Sequence, residues 1–203
     1  MFINFENNIN EALLEFKNIL KAKNILKQIS KVFPVKNYLI IEAFALRIYD
    51  KKAGKLTQDI DTLISKKATK ELDNFLSNFK NINRNYFLDS EWIMISEKDI
   101  EIDIKIKSKS YEREALNNPN INIINYEETK LAVIKPEYLT LMKLETLRKK
   151  DEEDLITIFS WKFTDFEKLN KLVNKYLPHI YEDYEQLKLI SFLKNLHNEG
   201  NFK

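Results

Sequence analysis

No feature of this chain restricts its fold more than the end of the run from Ile40 to Ser65, IIEAFALRIYDKKAGKLTQDIDTLIS, where Asp59 and Asp61 stand two residues apart in an otherwise apolar strand. Strand side chains alternate between faces, so the two carboxylates share one face about 7 Å apart while Ile60 turns the other way. Two like charges held that close are tolerated when solvated, protonated or bridged by a cation. The flanking Ile60, Leu63 and Ile64 bury the strand, and a buried strand carrying two aspartates is hard to explain without a ligand. A hard divalent ion, Mg²⁺ before Mn²⁺, suits two carboxylates.

Composition removes the competing chemistries. With no cysteine there is no disulfide, thiolate zinc site or cysteine nucleophile, and two histidines, His179 and His197, are too few for an imidazole metal centre. Two glycines in 203 residues leave no P-loop and no dinucleotide-binding fingerprint. The 33 basic and 31 acidic residues nearly cancel, to +2, so a polyanion would have to be gripped by a local patch. The opening MFINFENNIN lacks a signal-peptide layout and no apolar run reaches membrane-spanning length, so a cytoplasmic protein without a membrane partner is expected.

Periodicity divides the chain into an α/β half and a helical half, with domains expected at 1–135 and 136–203. Leu13, Phe16, Leu20, Leu26, Ile29 and Phe33 recur at helical spacing, as one long or two short helices before Pro34. A strand at 38–41, a buried helix through Ala43 to Leu46, the strand 59–64 and a helix at 68–79 follow. Trp92 to Ile95 and Ile100 to Ile106 read as a hairpin turned at Ser96-Glu97-Lys98-Asp99. After the polar stretch 108–120 come short strands at 121–126 and 131–134. From Pro136, favoured at a helix start, helices are expected at 137–149, 152–161, 165–176 and 180–196.

In the second hairpin strand, Glu101, Asp103 and Lys105 alternate with isoleucines. They form either the solvated face of an antiparallel strand or, if that strand neighbours the Asp59 strand, a face on which three carboxylates converge. Three convergent carboxylates are what two divalent ions need to hold a nucleoside triphosphate and activate a hydroxyl.

The series Glu42-Ala43, Phe44-Ala45-Leu46, Tyr49, Lys55, Thr57, Asp59-Ile60-Asp61, followed by Pro136, Lys143, Lys150-Asp151 and Asp154-Leu155, resembles the polymerase-beta-type nucleotidyltransferase superfamily, in particular its abortive-infection toxin group (type IV toxin–antitoxin). The resemblance implies an α+β fold: a nucleotidyltransferase-type mixed sheet with flanking helices, followed by a C-terminal helical bundle. It implies that Asp59, Asp61 and Asp103 bind metal and carry catalysis, and that Ala43, Lys55, Thr57, Lys143, Asp151 and Asp154 bind the nucleotide. Lys143 would offset triphosphate charge, with Asp151 positioning it or touching the nucleotide. Lys143 reads equally as an exposed helix lysine, and KKDEEDL as an ordinary acidic helix start. Glu42 departs from the family's pair of small residues by placing a carboxylate where polyphosphate charge should sit.

The activity implied is Mg²⁺-dependent transfer of a nucleoside monophosphate from a triphosphate to a hydroxyl of RNA, tRNA or protein, with an antitoxin partner if the protein is a toxin. The alternative is a catalytically degenerate member acting as a protein- or nucleic-acid-binding module. For that reading Trp161, Lys162, Phe163, Lys168, Lys171 and Lys175 form a basic and aromatic pattern suited to single strands, or else one amphipathic helix with solvated lysines.

Overall fold

Helices α1 (Phe5–Leu13) and α2 (Ile19–Val32) each begin at an asparagine, Asn4 and Asn18. Their side-chain oxygens accept the amides of Asn7 and Lys21 at 3.0 and 3.1 Å, satisfying donors that a helix start leaves orphaned. The computed structural model describes residues 3–53, 57–87, 90–97, 99–106, 109–117 and 121–198. Leu13, Phe16, Leu26, Ile29 and Phe33 are buried as expected, but Leu20 is 73% exposed. The break between the helices resets the helical phase, and Leu20 falls on the outer side of the second.

Seven strands make one mixed sheet: β1 (Tyr38–Ile40), β2 (Asp59–Ile64), β3 (Ile82–Phe87), β4 (Ser90–Glu97), β5 (Ile100–Ile106), β6 (Ile121–Tyr126) and β7 (Thr129–Ile134), in the order β3-β4-β5-β2-β1-β7-β6. The pairs β2–β5 and β1–β7 are parallel and the other neighbours antiparallel. Between β1 and β2 lies α3 (Glu42–Tyr49), packed on β2. After β2 come a short 3₁₀ turn and α4 (Thr69–Leu76), shorter than the periodicity predicts, and α5 (Ser110–Ala115) follows β5.

One face of the sheet is core. Register aligns Ile60 with Ile102 and Ile102 with Ile95, then Ile104 with Ile93, all at most 1% exposed. Burying each such side chain contributes roughly 1.5–3 kcal/mol. The β4–β5 hairpin is tighter than expected, with Glu97 paired to Ile100 and Asp99 at φ 70°, doing the work of the missing glycine. Strand β3 and helix α5 have no counterpart in the periodicity. In β3, residues 82–85 are exposed, so the strand carries no buried alternation and exists through its pairing with β4.

The chain separates into two compact units, residues 1–135 and 136–203. The second consists of α6 (Pro136–Thr146), α7 (Lys149–Ser160), α8 (Phe166–Tyr176) and α9 (Tyr181–Asn198), with α6 packed on α7 and α8, and α7 on α9. The architecture is α+β: a mixed sheet with flanking helices, followed by C-terminal helices. Among the described residues, no helix is long and apolar enough to cross a membrane.

Candidate functional site

The parallel pairing of β2 with β5 creates the site. It sets Asp61 beside Asp103 and Asp59 beside Glu101, so four carboxylates share the face opposite the isoleucines, on strands about 4.8 Å apart. Asp59, Asp61 and Asp103 are half-buried, whereas Glu101 is exposed. The Asp103 carboxyl is pushed up to about 6, first by burial and then by the charges of Asp59 and Glu101. Its Oδ1 is buried without a hydrogen-bond partner. Glu101 was not among the expected site residues, and its alternation with Asp103 was the signal for it.

The rest of that strand face is not simply solvated. Lys105, 8% exposed, pairs with the fully buried Glu112 of α5 and lies over the Trp92 ring at 5.3 Å from its centroid.

Among the described residues, no group of three or more acidic or histidine side chains is gathered closely enough to hold a metal ion by itself. Mg²⁺ rarely asks for that. It keeps several waters and binds through one or two carboxylates together with phosphate oxygens. An orphaned Asp103 oxygen and a carboxyl strained by its neighbours are what such a cation relieves, so the donor set fits Mg²⁺ or Mn²⁺ arriving with a phosphate ligand.

Beside these strands, Glu42 opens α3 directly after β1 with φ 54°, and the Ile41 amide donates to the Asp61 carbonyl at 3.0 Å. Left-handed backbone costs a residue with a Cβ roughly 1–2 kcal/mol and glycine almost nothing. The glutamate therefore occupies a conformation in which glycine is at home. Ala43, half-buried, is the next residue of the helix. Glu42→Gly is expected to raise unfolding stability by about 1 kcal/mol while Glu42→Ala does not. Urea denaturation of both separates the backbone from the charge, since each removes the carboxylate.

Thr57 is 8% exposed, and its hydroxyl is turned toward the chain: Oγ1 accepts the Asp59 amide at 3.2 Å. The Thr57 amide donates to Glu15 Oε2 at 3.3 Å, and the other oxygen of Glu15 pairs with Arg47 of α3. Neither Glu15 nor Arg47 was foreseen. A lone arginine inside the apolar EAFALRIY was the available signal; for Glu15 there was none, because its contacts lie far along the chain. Lys55 lies outside the described residues.

In the helical unit, Lys143 is no exposed lysine. It is 2% exposed and pairs with Asp154 at 2.7 Å and Asp151 at 3.5 Å. Asp151, fully buried, also accepts from the Thr146 hydroxyl at 2.9 Å and from the Arg148 amide and Nε at 3.1 and 2.6 Å, closing the start of α7. Burial would raise its carboxyl, but the Arg148 and Thr146 bonds and the Lys143 charge outweigh that and hold it below the usual range. The aromatic and basic pattern of this unit divides into a buried Trp161 stacked on Phe163 at 5.2 Å, and α8, which buries Leu169, Leu172 and Val173. On α8, Lys171 pairs with Glu167 at 2.6 Å and Lys168 lies over Tyr138.

No protein-family model matches the chain, and no curated protein matches it. Among solved structures it is similar to an antigenic nucleotidyltransferase-like protein from Paracoccidioides brasiliensis. The identity is 14%, over 73% of this chain and 84% of that one, with a TM-score of 0.39. A likeness of that depth carries neither an activity nor a substrate.

Proposed function

We propose that the protein is a divalent-metal-dependent nucleotidyltransferase, moving a nucleoside monophosphate from a triphosphate to an acceptor hydroxyl. The observation that carries this reading is the β2–β5 register, which brings Asp103 next to Asp61 and leaves its carboxyl raised by burial and by the charge of Asp59. In the reaction, a divalent ion would be held by Asp59 and Asp61 with the phosphates and would stabilise the charge developing on the transferred phosphoryl group. Asp103, whose carboxyl is pushed up to about 6 by burial and by the charges of Asp59 and Glu101 before any cation binds, is the carboxylate suited to take the proton of the attacking hydroxyl. Pyrophosphate is the leaving group. RNA, tRNA or a protein hydroxyl as acceptor, and a toxin role with an antitoxin partner, are the extensions that the sequence resemblance supports.

Titration calorimetry of each nucleoside triphosphate with Mg²⁺ tests the proposal. Binding is expected to require the metal and to fall at least tenfold in Asp59→Asn. A second reading, a degenerate fold acting as a binding module, is favoured by one observation, the carboxylate of Glu42 at a glycine-like turn beside the aspartate strand. Metal-independent binding, or none, for every triphosphate would select it.

A further inference from the structure

We infer that Glu15, paired with Arg47, is a positioning residue for Asp59, its side-chain oxygen holding the amide of Thr57, whose hydroxyl holds Asp59. The inference rests on the proposed role of Asp59 as a metal ligand. Strand β1 pairs with Thr62, Leu63 and Ile64, and the Ile41 amide bonds the Asp61 carbonyl beyond them, so along that edge these backbone bonds stop short of Asp59, the first residue of β2. Another element takes over there. The Thr57 hydroxyl accepts the Asp59 amide at 3.2 Å, and the Thr57 amide is held in turn by Glu15 Oε2 at 3.3 Å.

Glu15 is itself fixed by Arg47, and the two side chains are only 12% and 10% exposed. Arg47 also donates to the Lys51 carbonyl, so Lys51 and Thr57 both bond to members of the same pair. Stability alone does not call for this arrangement. A buried ion pair is often no more stabilising than apolar residues of similar volume, whereas an acceptor aimed at a particular amide has no apolar substitute. Supporting groups behind metal ligands commonly change metal affinity 10–100-fold when removed.

Two double variants separate positioning from packing. Glu15→Gln with Arg47→Met removes both charges and keeps an oxygen for the Thr57 amide; Glu15→Met with Arg47→Met removes the oxygen as well. Two readouts apply: Mn²⁺ binding in the presence of ATP, GTP, CTP or UTP, followed by electron paramagnetic resonance, and hydrogen exchange of the Asp59 amide. The glutamine pair is expected to bind Mn²⁺ within about threefold of wild type. The methionine pair should bind about tenfold more weakly and exchange the Asp59 amide about tenfold faster. Equal affinity and equal exchange in the two pairs overturn the inference. If the wild type binds no Mn²⁺ with any triphosphate, the proposed activity falls, and the exchange rates alone decide the positioning. Should the methionine pair fail to fold, Thr57→Val against Thr57→Ser tests the last link, through which Glu15 must act: valine, lacking the hydroxyl, should exchange the Asp59 amide about tenfold faster than serine, and equal exchange overturns the inference.

Discussion

Asp103→Asn should make the apoprotein more stable at pH 7 while abolishing transfer. The Asp103 carboxyl lies near 6 in the folded chain against an ordinary 3.8, because burial and the charges of Asp59 and Glu101 disfavour its ionised form. A carboxyl raised on folding favours the folded state below its unfolded value, and that contribution is lost as pH rises through about 6. Two units correspond to a ceiling of about 3 kcal/mol, which partial solvation of a half-buried group reduces to about 1–2 kcal/mol. Asparagine has the same shape and carries no charge. Urea midpoints between pH 4.5 and 7.5 should therefore converge at the acid end, with the variant ahead by that amount at pH 7. Loss of a base from a reacting hydroxyl lowers turnover about 10²–10⁴-fold. A variant no more stable than wild type at pH 7 would mean that Asp103 carries no such strain, and a variant that still transfers would remove it from the chemistry.

Asp151→Ala should have the largest effect on folding, a loss of about 3–5 kcal/mol. The alanine takes an acceptor from the Thr146 hydroxyl, from the Arg148 amide and Nε, and from the ammonium of Lys143, a lysine that is only 2% exposed. The turn they close already holds Leu147 at φ 40°, a conformation that persists only when its surroundings enforce it. In wild type the lowered Asp151 carboxyl makes the opposite pH contribution to Asp103. It is fully present above the ordinary carboxyl value and is lost as pH falls from there through the lowered folded value. Thermal unfolding at pH 7 and pH 3 checks both points, since the deficit of the variant should shrink in acid. A deficit under 1 kcal/mol at pH 7 would show that Lys143 is satisfied by Asp154 alone.

Where a strand buries one face, its alternation is visible, and β2, β5 and the isoleucine core were legible for that reason. The conjunction of Asp59, Asp61 and Asp103 was legible as a conditional, dependent on a strand pairing that local pattern does not encode. The register of β2 on β5 supplies that pairing. What could not be read are features whose cause lies in another part of the chain. Strand β3 exists because β4 offers it an edge, Leu20 is exposed because a helix restarts at Ile19, and Glu15 matters because Thr57 and Arg47 converge on it. The left-handed backbone at Glu42 was hidden differently. Its charge drew attention in the sequence, while the turn beneath it is a property of the chain path.

The strand order also governs when the carboxylate face can assemble. Strand β2 meets β5 only after residues 100–106 exist, and β1 gains its outer neighbour only when Ile40 meets Val133. Contacts so distant along the chain make folding slow, on the order of milliseconds to seconds, because closing long loops precedes the contacts that reward it. Until β5 docks, Asp103 is hydrated and apart from Asp59, so the burial and the charge that raise its carboxyl arise only when those two strands pair. Through its first hundred residues a nascent chain therefore carries Asp59 and Asp61 without the strand that brings Asp103 beside them.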